Sequence, residues 1–117
     1  MKRGADSDGV LLGSLEEQVM LAVVRTAAAA YGMNVRRELE DITGRDITIG
    51  SVYATLDRLE AKGLVSSTRT GASDVPSRRV FAVTSEGARS LAHTRATRER
   101  LWRGVNLQAL LSNPSGS

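Results

Sequence analysis

Cysteine is absent from the 117 residues, which excludes disulfides, thiol nucleophiles and cysteine-held metals. Aromatic residues are scarce, with two tyrosines, one tryptophan and one phenylalanine. His93 is the single histidine. It has no ligand-spaced partner and no Ser/His/Asp arrangement around it, so it reads as a surface residue. No Gly-rich phosphate loop is present. Nothing here points to an enzyme, a metal or a cofactor. No apolar run approaches the roughly 20 residues of a membrane span. Residues Met1–Gly9 lack the apolar centre of a secretory leader, and a cytoplasmic location is the expectation. Neither sign of charge dominates: 16 Lys and Arg face 13 Asp and Glu, a net charge of +3. That mild excess suits an anionic partner without requiring one.

What is present is periodic. Residues 1–9 read as a flexible arm. Ser14-Leu15-Glu16-Glu17 has the spacing of a capping box between Ser14 and Glu17, which predicts a first helix from Leu15 to about Ala29. Its middle, Val19 to Val24, is apolar on every side, so two faces need covering. In so short a chain, a second subunit is the natural cover for one of them. Tyr31-Gly32 breaks this helix. Val35, Leu39 and Ile42 recur at helical spacing in a second helix that Gly44 ends, and Arg36, Arg37, Glu38 and Glu40 fill its solvated faces. A third helix opens at Thr48, carries Ile49, Val52, Leu56 and Leu59 as a buried stripe, and stops at Gly63, suited to the left-handed position after a helix.

Two strands follow, Leu64–Arg69 and Arg78–Val83, around a polar loop from Thr70 to Ser77. A helix from Thr84-Ser85-Glu86-Gly87 then runs to Arg103 or beyond. Its apolar stripe (Ala88, Leu91, Ala92, then Leu101, Trp102 and Val105) is interrupted by Arg95, Arg98 and Arg100. Such a helix suits an arm packed at its ends and wet between them.

Helix, strand, loop, strand outlines a winged helix-turn-helix. The fold class expected is mostly α with a small β-hairpin and a C-terminal dimerisation helix. Its parts are a DNA-binding domain at 10–84, the C-terminal helix at 85–111 and a flexible tail at 112–117. In such a fold the third helix can enter a major groove while the hairpin lies along the backbone. Ser51, Ala54, Thr55, Arg58 and Lys62 fall opposite the buried stripe, a face of short hydrogen-bonding groups and cations fit for a groove about 12 Å wide. Ser51 and Thr55 are candidates for base edges or phosphates, and Arg58 for phosphate. Thr48 is a helix cap, a phosphate contact or both. The Tyr53 ring packs beside the stripe with its hydroxyl free to meet a phosphate. Arg69, Arg78 and Arg79 flank the wing, and alternation sends Arg78 and Arg79 to opposite faces. The competing reading is a winged-helix protein-interaction module that does not read DNA, favoured by Asp57 and Glu60, which offset the basic charge of the third helix.

Tyr31-Gly32, Gly50-Ser51-Val52-Tyr53, Leu56, Arg58-Leu59-Glu60, Gly63-Leu64-Val65, Arg78-Arg79 and Thr84-Ser85-Glu86-Gly87 together resemble the PadR family of transcriptional regulators, over roughly Leu11 to Val105. The resemblance implies a cytoplasmic homodimer, joined through the C-terminal helices with help from the first helix. It implies repression at a palindromic operator of double-stranded DNA, with a small-molecule effector as a possible partner. It places Tyr31 near the DNA backbone. Val19 and Val23 of the first helix, with Leu91, Leu101, Trp102 and Val105 of the last, become the candidates for subunit or ligand contact. In multidrug-sensing members a tryptophan of the last helix sandwiches planar ligands. Trp102 falls about one turn later by a gapless count, and the alternative role is an interface anchor. Val80 stands where the family often has an aromatic residue, and the wing is longer than the minimum.

Overall fold

The computed structural model describes residues 9–70 and 78–112. The expected wing tip, the arm before Gly9 and the tail beyond Ser112 lie outside the described residues. Helix α1 spans Ser14–Thr26, followed by a 3-10 turn at Ala27–Ala29. Helices α2 (Gly32–Thr43) and α3 (Ile49–Ala61) precede a hairpin of β1 (Val65–Thr70) and β2 (Arg78–Val83). Helices α4 (Ser85–Trp102) and α5 (Leu107–Leu111) complete the chain. The fold is a winged helix with a C-terminal helix.

Local chemistry sets these boundaries. Gly44, at φ 69°, ends α2. Thr48 Oγ1 accepts from the Ser51 amide at 3.1 Å and opens α3. At the other end, Gly63 takes a φ of 78°. Its amide donates to the Glu60 carbonyl, and the Leu64 amide to the Leu59 carbonyl, both at 2.9 Å. That pair of bonds turns the chain straight from α3 into β1. Thr84 repeats the device for α4: its hydroxyl accepts from the Gly87 amide at 3.0 Å and donates to the Gly63 carbonyl at 2.7 Å. A Cβ at Gly87 would overlap the Leu64 carbonyl oxygen, so this turn admits no side chain.

The core is aliphatic apart from Phe81. Val19, Met20, Val35, Val52, Leu56 and Leu59 are fully buried where α1, α2 and α3 meet, and Leu64, Val65 and Phe81 close the hairpin over them. The strands pair antiparallel, from Val65 opposite Val83 to Thr70 opposite Arg78. The Phe81 amide donates to the Ala30 carbonyl at 2.9 Å, which lays the segment before α2 against the outer edge of β2.

The structure departs from expectation in several places. The α1 cap lies one residue earlier, with Glu16 Oε1 accepting from the Gly13 amide at 3.1 Å, while Glu17 is taken by Arg98 of α4. Ile42 is exposed rather than buried. Val19 and Val23 are 0% and 2% exposed within their own chain, so they belong to this core and not to a subunit interface; Leu21 and Val24 are the exposed apolar residues of α1. Finally, α4 packs mostly through its first half, through Leu91 and small residues. Gly87, Ser90 and Thr94 are its buried positions. Ser90 Oγ accepts from the Val10 amide at 3.2 Å and Thr94 Oγ1 from the Leu12 amide at 3.0 Å. Residues 10–12 thus run as a strap along α4. Leu101 and Trp102 are exposed, as are Val105, Leu107, Leu110 and Leu111 beyond them. Among the described residues, no helix is long and apolar enough to cross a membrane.

Candidate nucleic-acid interface

One cleft gathers four arginines. It has a volume of about 490 Å³ and lies where the start of α2, the start of α3 and the hairpin meet, lined by Tyr31, Met33, Arg37, Tyr53, Arg69, Arg78 and Arg79. The backbone builds it. The bond from Phe81 to Ala30 carries Tyr31 beside β2, and the Arg78 guanidinium stacks over the Tyr31 ring at 4.3 Å. Gly32 leaves the space that Tyr53 fills, since a Cβ there would overlap the Tyr53 ring. The two tyrosines therefore sit side by side because position 32 has no side chain.

Charge is distributed unevenly over the arginines. Arg37, Arg69 and Arg78 make no ion pair among the described residues; Arg37 only donates to Asn34 Oδ1 at 3.2 Å. Arg79 is different. It donates to Asp57 at 3.0 Å and to Glu60 at 2.6 Å and stacks over Phe81 at 4.8 Å. Partial burial works against its charge, but the bonds and charges of Asp57 and Glu60 outweigh this and hold its ionisation above the ordinary arginine value. Glu60 also accepts from the Ser67 hydroxyl at 2.9 Å, so it ties both strands of the hairpin to α3. The cleft can bind phosphate oxygens through three uncommitted guanidiniums, with tyrosine rings and hydroxyls between them.

The expected DNA-binding residues divide. Tyr31, Tyr53, Arg69, Arg78 and Arg79 come together in the cleft. Thr48 and Ser51 line a second hollow of about 370 Å³ at the α3 N-terminus, with Arg45. Arg58 is exposed on the flank of α3. Thr55 is a correction: it is 1% exposed, and its hydroxyl donates to the Ser51 carbonyl at 2.9 Å, so it packs in the core. The face expected to meet a groove is rotated: Thr55 is buried, and Lys62 pairs with Glu16 of α1 at 2.8 Å. Arg79 is also corrected, from a free cation to one spent on two carboxylates. Sequence reasoning missed Arg37, which it left on a solvated face. Its signal was the four-residue spacing to Met33, which puts both on the side of α2 that turns toward the cleft. Leu91 is half-buried and packs against the core, whereas Leu101, Trp102 and Val105 project from it.

Comparison with known proteins fits this geometry. The model of the Transcriptional regulator PadR-like family matches residues 20–93. A PadR family transcriptional regulator from Eggerthella lenta is 30% identical, with 83% of this chain and 87% of that one covered and a TM-score of 0.63. A PadR-like transcriptional regulator from Bacillus cereus is 18% identical, covers 94% of this chain and 97% of its own, and gives a TM-score of 0.67. PadR of Bacillus subtilis, solved in complex with operator DNA, is 13% identical over 68% of this chain and 45% of that one, with a TM-score of 0.56. No curated protein matches the chain.

Proposed function

Since the chain belongs to the PadR-like family of transcriptional regulators, we propose that it is a cytoplasmic, homodimeric repressor that reads a palindromic operator. The observation that carries this reading is the cleft in which Arg37, Arg69 and Arg78 converge unpaired among the described residues beside the exposed side of α3. In each subunit α3 enters the major groove, and the cleft grips the adjacent backbone. Tyr31, Tyr53, Arg69 and Arg78 supply the phosphate contacts, with Thr48, Ser51 and Arg58 at the helix flank. Phosphate contacts fix position, and residues on the exposed face of α3 supply the sequence preference.

Dimerisation is supported by the apolar surface left open on the C-terminal arm. Leu101, Trp102 and Val105 of this arm are 72%, 53% and 48% exposed, and a monomer has no use for that surface. Leu21 and Val24 of α1 supply further apolar surface for the same interface. A small effector bound between the subunits near Trp102 would relieve repression by changing the distance between the two α3 helices, provided it binds the two spacings with different affinity.

Selection from a random duplex pool by the full chain tests the reading. The expected outcome is a palindrome whose half-sites lie roughly 10 or 20 bp apart. Retention without a motif would reduce the protein to nonspecific binding. No retention would favour the protein-interaction reading, which the Asp57 and Glu60 carboxylates of α3 also favour.

A further inference from the structure

The centre of the exposed α3 face is made of Gly50, Ala54, Asp57 and Ala61, at i, i+4, i+7 and i+11. All but Asp57 carry at most a methyl group, so the helix backbone can approach another surface closely. Among the described residues, the one functional group projecting at this centre is the Asp57 carboxylate, whose side chain is 60% exposed. A bare carboxylate facing a polyanion is repelled. Arg79 compensates it by donating to Asp57 Oδ1 at 3.0 Å. Arg79 is itself held by Glu60 at 2.6 Å and by the ring of buried Phe81, and Glu60 accepts from Ser67 of β1. Asp57 is thus neutralised and aimed by a chain of contacts that reaches the core. Its second oxygen, Oδ2, has no partner among the described residues.

An ionised carboxylate only accepts hydrogen bonds. The major-groove edge offers donors at cytosine N4 and adenine N6, and adenine places the N7 acceptor next to its donor, which disfavours an anion. Guanine and thymine present acceptors and a methyl group. Resting on the reading of α3 as the major-groove helix, we propose that Asp57 determines specificity by accepting a hydrogen bond from cytosine N4, and that Arg79 is its positioning residue and not a phosphate contact. The half-site then contains one C·G pair recognised through this carboxylate. The arrangement also accounts for an arginine of the wing being spent inside the molecule while Arg69 and Arg78 stay free.

Selections with full-length wild type, Asp57→Ala, Asp57→Asn and Arg79→Met test this. The wild-type motif should contain a fixed cytosine in each half-site. Asp57→Ala should lose about tenfold of the discrimination at that pair and leave the other positions unchanged. Asp57→Asn should move the preference at the same position towards adenine, whose N6 and N7 match a carboxamide. Arg79→Met should broaden that position without altering the rest, which loss of a purely structural contact would not do. A motif unchanged in both Asp57 variants would overturn the assignment and leave DNA reading intact. An Arg79→Met motif identical to wild type would overturn the positioning role. A wild-type pool without any motif would overturn the DNA reading, and this proposal with it.

Discussion

Tyr53 and Gly32 are a matched pair, because the ring occupies the volume that a side chain at position 32 would need. Gly32→Ala is expected to push Tyr53 out of the cleft and cost roughly 1–3 kcal/mol of stability, read as a lower melting temperature together with weaker duplex binding. A variant as stable as wild type would show that the ring moves freely. Position 32 also shows what a sequence can and cannot say about a residue. Tyr31-Gly32 reads as a helix break, and α2 does begin at Gly32. The physical need for glycine comes from a ring 21 positions away in sequence, which no local rule reaches. Thr55 was misplaced for a similar reason. Helical spacing ranks faces by their side chains, but the orientation of α3 is set by its packing against α1 and α2, and Lys62 is drawn to Glu16.

Periodicity made the helices and the hairpin legible as elements, because each buried stripe has a regular spacing and each end has its own punctuation. Thr48 and Thr84 cap, and Gly44 and Gly63 stop. What remained hidden were contacts between elements. The strap of residues 10–12 on α4 depends on two buried hydroxyls, Ser90 and Thr94, and small polar residues leave no apolar pattern to detect. The short helix α5, capped by Asn106 at 3.1 Å to the Ala109 amide, was read as a continuation of α4. The contact between α1 and α3 makes a pH-dependent prediction. The Lys62 ammonium, by its hydrogen bond, holds the Glu16 carboxyl below the usual carboxylate range, against the opposing effect of burial. Because the folded value is depressed, the contribution is present above the unfolded value near 4.3 and is lost as pH falls through the folded one. Glu16→Gln should therefore lower stability at pH 7 by up to about 1 kcal/mol, the scale of a partly exposed pair. The difference from wild type should shrink as the pH is lowered beneath 4, followed by thermal melts across that window. A difference that stays constant through that window would contradict a contact that depends on ionised Glu16.

At the scale of the whole molecule, the chain is too long for its mass. Its Cα radius of gyration is 17.5 Å and its extents are 64 × 38 × 20 Å, whereas a compact chain of this length has a radius near 13 Å. The excess belongs to the arm that carries exposed Leu101 and Trp102 away from the core. The interrupted stripe foretold an arm, though one packed at both ends. The contacts within the chain lie mostly in its first half, and the apolar residues at its far end stay exposed. Trp102→Ala is expected to weaken self-association by roughly 30-fold, as loss of an interface anchor does, measured by sedimentation over a dilution series. An unchanged association constant would move Trp102 out of the interface.

If the arginine cleft beside α3 grips the DNA backbone, the salt dependence of duplex binding shows it most directly. Each phosphate contact contributes about 0.9 to the slope of log affinity against log salt. Replacing Arg69 and Arg78 together by alanine should make that slope shallower by about 2 per subunit and weaken all duplexes alike. A double variant with the wild-type slope would contradict the account and place the DNA elsewhere on the molecule.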